Sequence, residues 1–196
     1  MEFRLTMKKR KPISHNFRNT DGLTLFLDRD GVINTRLVDD YVKQTSDFRF
    51  TEGFLPGLAS IAVYFSTIVV VTNQQGVGKG LMTEAELQGI HDFMVGQVTL
   101  AGARIDKVYY CPDLKNSGSL NRKPEVGMAL QARRDFPGID FKKAWMVGDL
   151  LTDMEFGRRM RMTTVFIDDG GTAPLPDSLV DYRFDSFARF AKWVCS

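Results

Sequence analysis

Leu23-Thr24-Leu25-Phe26-Leu27-Asp28-Arg29-Asp30-Gly31-Val32-Ile33-Asn34 is the stretch that decides the fold. A short run rich in β-prone apolar residues stops at an acid, a second acid follows two places on, and a glycine then lets the chain turn. Such a run suits a strand covered on both faces, which is the environment of a parallel sheet. Working outward, runs at 67–71, 105–110, 144–147 and 163–167 repeat the pattern. Between them lie segments of helical character near 55–65, 84–100, 125–136 and 154–160. Thr83 and Glu86 make a capping box at the start of the second, which Gly89 and Gly96 weaken. Strands alternating with helices predict an α/β protein, a Rossmann-like three-layer α/β/α sandwich around a central parallel sheet.

A chain of 196 residues suffices for one well-buried domain and is short for two. Residues 1–22 read as a basic N-terminal extension and 23–196 as a single domain. The extension carries Lys8, Lys9, Arg10 and Lys11, ordinarily a solvated tail, although such a cluster also suits nucleic acid. With 43% hydrophobic and 26% charged residues the makeup is that of a soluble globular protein, and no apolar run is long enough to span a bilayer. A formal net charge of +2 gives no broad cationic footprint, so nucleic acid is not the expected partner. The start of the chain lacks the apolar core of a signal peptide, and the two cysteines, Cys111 and Cys195, stand far apart, so neither export nor a disulfide framework is expected. Both observations point to the cytoplasm.

In open parallel sheets ligands collect beyond the carboxyl ends of the strands. Those ends carry Asp28 and Asp30, then Thr72-Asn73-Gln74-Gln75-Gly76, then Arg122-Lys123-Pro124 beyond a polar loop at 113–121, and finally Gly148-Asp149 with Asp153 close behind. Phosphoryl transfer needs a nucleophile, a proton donor for the leaving oxygen, a hard cation and fixed positive charge around the phosphoryl oxygens. Asp28 can attack phosphorus, and Asp30 can protonate the departing alkoxide and later activate water. Asp149, with Asp153, offers the oxygen ligands that Mg²⁺ prefers. Thr72 and Asn73 can donate hydrogen bonds, and Lys123 brings a compact charge. Pro124 is expected to open the next helix, whose N-terminal dipole would add to the positive field.

Each piece has an ordinary reading as well. Asp-x-Asp-Gly is commonly a surface turn, Thr-Asn a turn after a strand, Lys-Pro a helix start and Gly-Asp a cap. Their order, each following a successive strand or opening a helix, is what carries the chemical reading. The stretch Gly76-Val77-Gly78-Lys79-Gly80 invites a nucleotide-loop reading, but a Walker motif needs glycine where Asn73 stands and Ser or Thr where Gly80 stands. His15 and His91 are isolated and read as solvent-facing or packed, and Trp145 and the phenylalanines as core.

At these residues the chain resembles the haloacid dehalogenase superfamily of phosphohydrolases, whose four motifs match Asp28/Asp30, Thr72, Lys123 and Asp149/Asp153. The resemblance implies a phosphoric monoester hydrolase in which Asp28 is the nucleophile, Asp30 the acid and base, and Thr72 and Lys123 hold the phosphoryl group. It also implies Mg²⁺ held by the Asp28 carboxylate, the Asp30 backbone carbonyl and Asp149, with Asp153 orienting the metal's waters. The short gaps between motifs imply a capless member with an open site. Within the superfamily, the stretches around Asp28, Thr72 and Lys123 are similar to those of the heptose-1,7-bisphosphate 7-phosphatase and histidinol-phosphatase group, where Asn73 and Arg122 would contact the substrate.

Many members of that group bind a structural zinc in the loop before Arg122, through Cys-x-His and Cys-x-Cys. Here Cys111-Pro112 is followed by Asp113, and the loop has no later cysteine. One cysteine cannot supply a tetrahedral site, so no structural zinc is expected. The expected substrate is a small phosphorylated metabolite, a sugar phosphate first; histidinol phosphate, a nucleic-acid 3′ end and a non-catalytic binding module on the same fold remain the alternatives.

Overall fold

The structure is a computed structural model that describes residues 22–37, 40–168, 170 and 175–196; the basic extension at 1–21, and parts of the expected loop at 168–177, lie outside the described residues. Strands β1 (Thr24–Leu27), β2 (Thr67–Asn73), β3 (Lys107–Cys111), β4 (Ala144–Gly148), β5 (Thr163–Ile167) and β6 (Tyr182–Phe184) form one sheet in the order β3-β2-β1-β4-β5-β6. Every pairing is parallel, with Leu27 opposite Val70 on one side and Val147 on the other.

Helices cover both faces. Leu25 and Leu27 point to the layer of α1 (Phe54–Ile61), α3 (Glu84–Leu100) and α6 (Phe187–Val194), while Phe26 points to that of α4 (Gly127–Asp135) and α5 (Leu151–Arg159). Alternate residues of β1 thus feed opposite cores, which is why that strand reads as a continuous apolar run. A single helical turn, α2 (Gln75–Gly78), follows β2. Among the described residues no helix is long and apolar enough to cross a membrane.

Five strands and four helices fall where the sequence puts them, within a few residues at each end. The Thr83–Glu86 capping box forms in full, with Thr83 N–H donating to Glu86 Oε2 at 2.7 Å and Glu86 N–H to Thr83 Oγ1 at 3.2 Å. Three differences matter. The helix expected over 55–65 ends at Ile61 and continues as a 3₁₀ turn, Ala62–Tyr64. The pair β6 and α6 adds to the sheet edge beyond the five expected strands. Pro124 does not open a helix: α4 starts at Gly127, because Gly127 N–H closes the preceding loop onto the Leu120 carbonyl at 2.8 Å. The dipole assigned to a helix starting at Pro124 is therefore withdrawn from the phosphate region by nearly a turn.

Strand β1 lies between β2 and β4, so residues leaving the carboxyl ends of these three strands meet at the point where the strand order reverses. Between β1 and α1 the described residues hold one 3₁₀ turn, Thr45–Asp47, and two isolated bridges, Asp30 to Asn34 and Asn34 to Phe50, in place of a folded cap.

Candidate active site

Asp28 leaves β1 with its N–H donating to the Val147 carbonyl at 2.9 Å, which fixes it against β4. Its Oδ1 accepts from Arg29 N–H at 2.7 Å and lies 2.8 Å from Lys123 Nζ. Lys123 Nζ also lies 2.6 Å from Asp153 Oδ1. One ammonium therefore sits between two buried carboxylates. Burial and the nearby Asp153 push the Asp28 carboxyl above the ordinary range, partly countered by Lys123. Lys123 is itself held at the main chain, where Asn73 Oδ1 accepts from Lys123 N–H at 2.9 Å and Asn73 Nδ2 donates to the Lys123 carbonyl at 3.1 Å.

Asp30 keeps a quarter of its side chain exposed. Its Oδ1 accepts from Arg29 at 3.0 Å and from Asn34 Nδ2 at 2.9 Å, and its Oδ2 from Gln74 Nε2 at 2.7 Å. Burial raises this carboxyl, but the Arg29 guanidinium and the three donors outweigh it and hold the group below the usual carboxylate range. Gln74 Nε2 also donates to Thr72 Oγ1 at 2.9 Å, tying the second motif to the first. Behind them, Arg29 lies 3.3 Å from His91 Nε2 on α3, and burial followed by the Arg29 charge drives the His91 imidazole down to about 4. His91 is thus neutral near pH 7 and accepts from the arginine.

Asp149 follows β4, and Gly31 brings the chain close to it: at a φ of 95° this glycine leaves no room for a Cβ, which would overlap the Asp149 carboxylate. Burial and the Asp28 charge push the Asp149 carboxyl up, countered by Arg36. Asp153 is fully buried near the start of α5, its Oδ2 accepting from Leu150 N–H at 3.0 Å. Oxygens of Asp28, Asp149 and Asp153 lie within 4.8 Å of one another, the one such group of metal-ligating side chains among the described residues. The donors are all hard oxygens, and the three carboxylates face two fixed cations, Lys123 and Arg36. The residues fit Mg²⁺.

The site opens into a cleft of about 1160 Å³ lined by Asp28, Asp30, Thr72, Asn73, Arg122, Lys123 and Asp153, and also by Arg36, Lys79 and Lys115. Arg122 donates to the Asp113 carbonyl at 3.0 Å. In the loop before it, burial keeps the Cys111 thiol protonated; Sγ lies 3.5 Å from Asp113 Oδ2 and 3.6 Å from Ser119 Oγ.

The HAD-hydrolase-like family model matches residues 120–188, from the end of that loop to α6. The D-glycero-alpha-D-manno-heptose-1,7-bisphosphate 7-phosphatase of Mycobacterium bovis is 35% identical over 85% of this chain and 88% of its own length. The D-glycero-beta-D-manno-heptose-1,7-bisphosphate 7-phosphatase of Escherichia coli strain K12 is 37% identical over 84% and 89%. The chain belongs to the haloacid dehalogenase superfamily. Among that superfamily's solved structures, a D,D-heptose 1,7-bisphosphate phosphatase from B. bronchiseptica, complexed with magnesium and phosphate, matches with a TM-score of 0.78 and 27% identity, over 88% of this chain and 98% of that one. Like its named relatives, this haloacid dehalogenase-type chain is a phosphatase.

The structure gathers Asp28, Asp30, Thr72, Asn73, Arg122, Lys123, Asp149 and Asp153 at one end of the sheet. Both ends of the Asn73 side chain are engaged with Lys123, so it positions that residue whatever else it touches. Four neighbours to which the sequence motifs assign no role also meet at the site: Arg29, Arg36, Gln74 and His91, the last packed as expected. Gln74 had a local signal, its place directly after the β2 motif. The pairing of Arg29 with His91 and of Arg36 with Asp149 joins residues far apart in the chain, which periodicity does not report.

Proposed function

We propose that this protein is a Mg²⁺-dependent phosphomonoesterase acting through an aspartyl-phosphate on Asp28, and that its substrate is D-glycero-D-manno-heptose 1,7-bisphosphate, cleaved at the 7-phosphate. The observation that carries the reading is Asp28 held 2.8 Å from a buried Lys123 beside two further carboxylates, at the floor of a cleft lined by additional cations.

In this reading Asp28 attacks phosphorus while Lys123 and Thr72 hold the phosphoryl oxygens. The Asp28 carboxylate, the Asp30 carbonyl and Asp149 would hold Mg²⁺, which supplies positive charge against the phosphoryl oxygens and lets carboxylate and phosphate approach. Asp30 gives a proton to the leaving oxygen and then takes one from the water that opens the acyl phosphate. Its three donors favour the carboxylate, and the arriving phosphate dianion opposes them, so the substrate itself brings Asp30 towards the protonated form. Arg122, Lys79 and Lys115 suit a second anionic group on the substrate. The reading treats 23–196 as one domain in the cytoplasm and needs no membrane, nucleic acid or structural zinc.

The test is Mg²⁺-dependent phosphate release from both anomers of the heptose bisphosphate, histidinol phosphate, a 3′-phosphorylated oligonucleotide and an aryl phosphate. A heptose bisphosphate should give the highest kcat/KM, with loss of the 7-phosphate. A preference for histidinol phosphate or the oligonucleotide would overturn the substrate, and no hydrolysis of any would overturn the reaction.

A further inference from the structure

Arg36 stands two residues beyond Asn34, on the segment that follows β1, and nothing in the proposed chemistry uses it. Its guanidinium makes three hydrogen bonds. Nε donates to Asp149 Oδ2 at 3.1 Å, and one terminal nitrogen donates to Asp149 Oδ1 at 2.6 Å and to the Asp30 backbone carbonyl at 2.9 Å. The side chain is about one-third exposed while Asp149 is nearly covered, so the cation reaches down from the cleft onto a buried acid.

An arginine beside a ligating carboxylate can act in two opposite ways. As a support it would bind one oxygen and leave the other to the metal, as outer partners of metal ligands do. Here the planar fork takes both carboxylate oxygens, and its remaining bond takes the Asp30 carbonyl as well. Those acceptors are the ones that the function proposed above assigns to Mg²⁺. With the fork already on both carboxylate oxygens and the carbonyl, a divalent ion drawn to the roughly 2.0–2.1 Å that Mg²⁺ needs would meet a guanidinium at close range, and the two cations oppose each other at these acceptors.

We propose that Arg36 competes with the divalent cation for Asp149 and the Asp30 carbonyl, so that metal binding lifts the guanidinium off these oxygens and into the cleft that it lines. The apparent metal affinity is then the intrinsic affinity reduced by the fraction of molecules whose arginine is displaced. Displacement also adds a cation to the cleft that receives an anionic substrate, so metal and substrate each strengthen the other's binding. The inference rests on the metal ligands of the proposed function.

The experiment is calorimetric titration of the full-length, EDTA-treated protein with MgCl₂, in wild type, Arg36→Ala and Arg36→Gln. Removing a competitor should tighten Mg²⁺ binding by about tenfold or more, the scale of one charge-assisted hydrogen bond. An unchanged Kd, or a weaker one as expected of a support, overturns the proposal. A wild-type readout guards against misfolded variants: the ¹⁵N–¹H resonance of the Arg36 Nε–H group should shift on saturation with Mg²⁺, and a resonance that stays in place counts against displacement. Asp149→Asn is the control and should lose binding in every background. If wild type itself binds no Mg²⁺, the metal ligands of the proposed function fail and this inference with them. If wild type binds and Arg36→Ala does not bind more tightly, only the inference fails.

Discussion

Lys123 Nζ stands 2.8 Å from Asp28 Oδ1 with both side chains almost wholly shielded from solvent, and the same ammonium reaches Asp153 at 2.6 Å. Removing one partner of a buried ion pair leaves the others uncompensated, at a cost on the order of 3–5 kcal/mol. Lys123→Met should therefore lower the Tm by something on the order of 10 °C for a chain of this size. It should also abolish turnover, because in the proposed reaction both the nucleophile and the phosphoryl oxygens lose their fixed charge. Calorimetry and steady-state kinetics check the two effects, and a variant retaining kcat within tenfold would remove Lys123 from the phosphoryl site.

The two carboxylates of the first motif should fail differently. Asp28→Asn keeps the volume but cannot form an acyl phosphate, so turnover is lost while the circular dichroism spectrum is unchanged. Asp30→Asn should cost about 10²- to 10⁴-fold, the usual worth of general acid–base catalysis. The loss should be smallest for aryl phosphates, whose leaving groups need no proton. Equal losses for aryl and alkyl phosphates would argue against Asp30 as the proton donor.

The central strands and their carboxyl ends were legible because each signal is local: an apolar run, then the acid or hydroxyl that follows it. What was not legible depends on distant partners. Tyr182-Arg183-Phe184 is too short to read as a strand alone, and becomes one by lying beside β5 while Tyr182 and Phe184 pack on Trp193 of α6. Ser186 did carry a signal for α6, since its hydroxyl caps the helix by accepting from Arg189 N–H. The start of α4 was misplaced because Gly127, not Pro124, is where the loop closes on Leu120. His91 read as an isolated histidine since its partner, Arg29, is 62 residues away.

Gly31 tests the cation site without replacing a ligand. An alanine Cβ there would overlap the Asp149 carboxylate, and the positive φ of 95° strains any L side chain. Gly31→Ala should displace Asp149 and raise the Mg²⁺ concentration needed for half-maximal activity by at least tenfold. EDTA should silence the wild type, with Mg²⁺ restoring it. Unaltered Mg²⁺ dependence in the variant would mean that Asp149 is not a ligand.

His91 supplies a pH signature. Its imidazole is driven from 6.5 down to about 4 in the folded protein, chiefly by burial and then by Arg29. The unfolded chain therefore takes up this proton first as pH falls, so the stability that His91 contributes is whole above pH 6.5 and drains away towards pH 4. A displacement of that size makes the loss on the order of 2–3 kcal/mol over this window. His91→Leu has no such proton to take up, so its stability deficit relative to wild type, measured by urea unfolding, should shrink by that amount between pH 7.5 and 4.5. A deficit independent of pH would mean that His91 titrates normally.

In the proposed function, substrate choice falls to Arg122. The described residues hold no folded cap, so this reading assigns discrimination to side chains that line the cleft and to the loop at 113–121. Arg122 lines the cleft and spends one terminal nitrogen on the Asp113 carbonyl, which anchors the fork and leaves its other donors for a ligand. A second phosphate on the substrate would meet that fork together with Lys79 and Lys115, whereas histidinol phosphate brings a cation to the same place. Arg122→Ala should reduce kcat/KM for the heptose bisphosphate by about 10- to 100-fold, the worth of a charge-assisted contact. An aryl phosphate, which reaches only the inner pocket, should lose less than threefold. Because Arg122 also ties the loop at Asp113, Arg122→Lys separates the two effects: it keeps a charge for the anion but not the planar fork. Partial recovery with the bisphosphate alone supports direct contact, while equal losses on both substrates would reduce Arg122 to a prop for the loop.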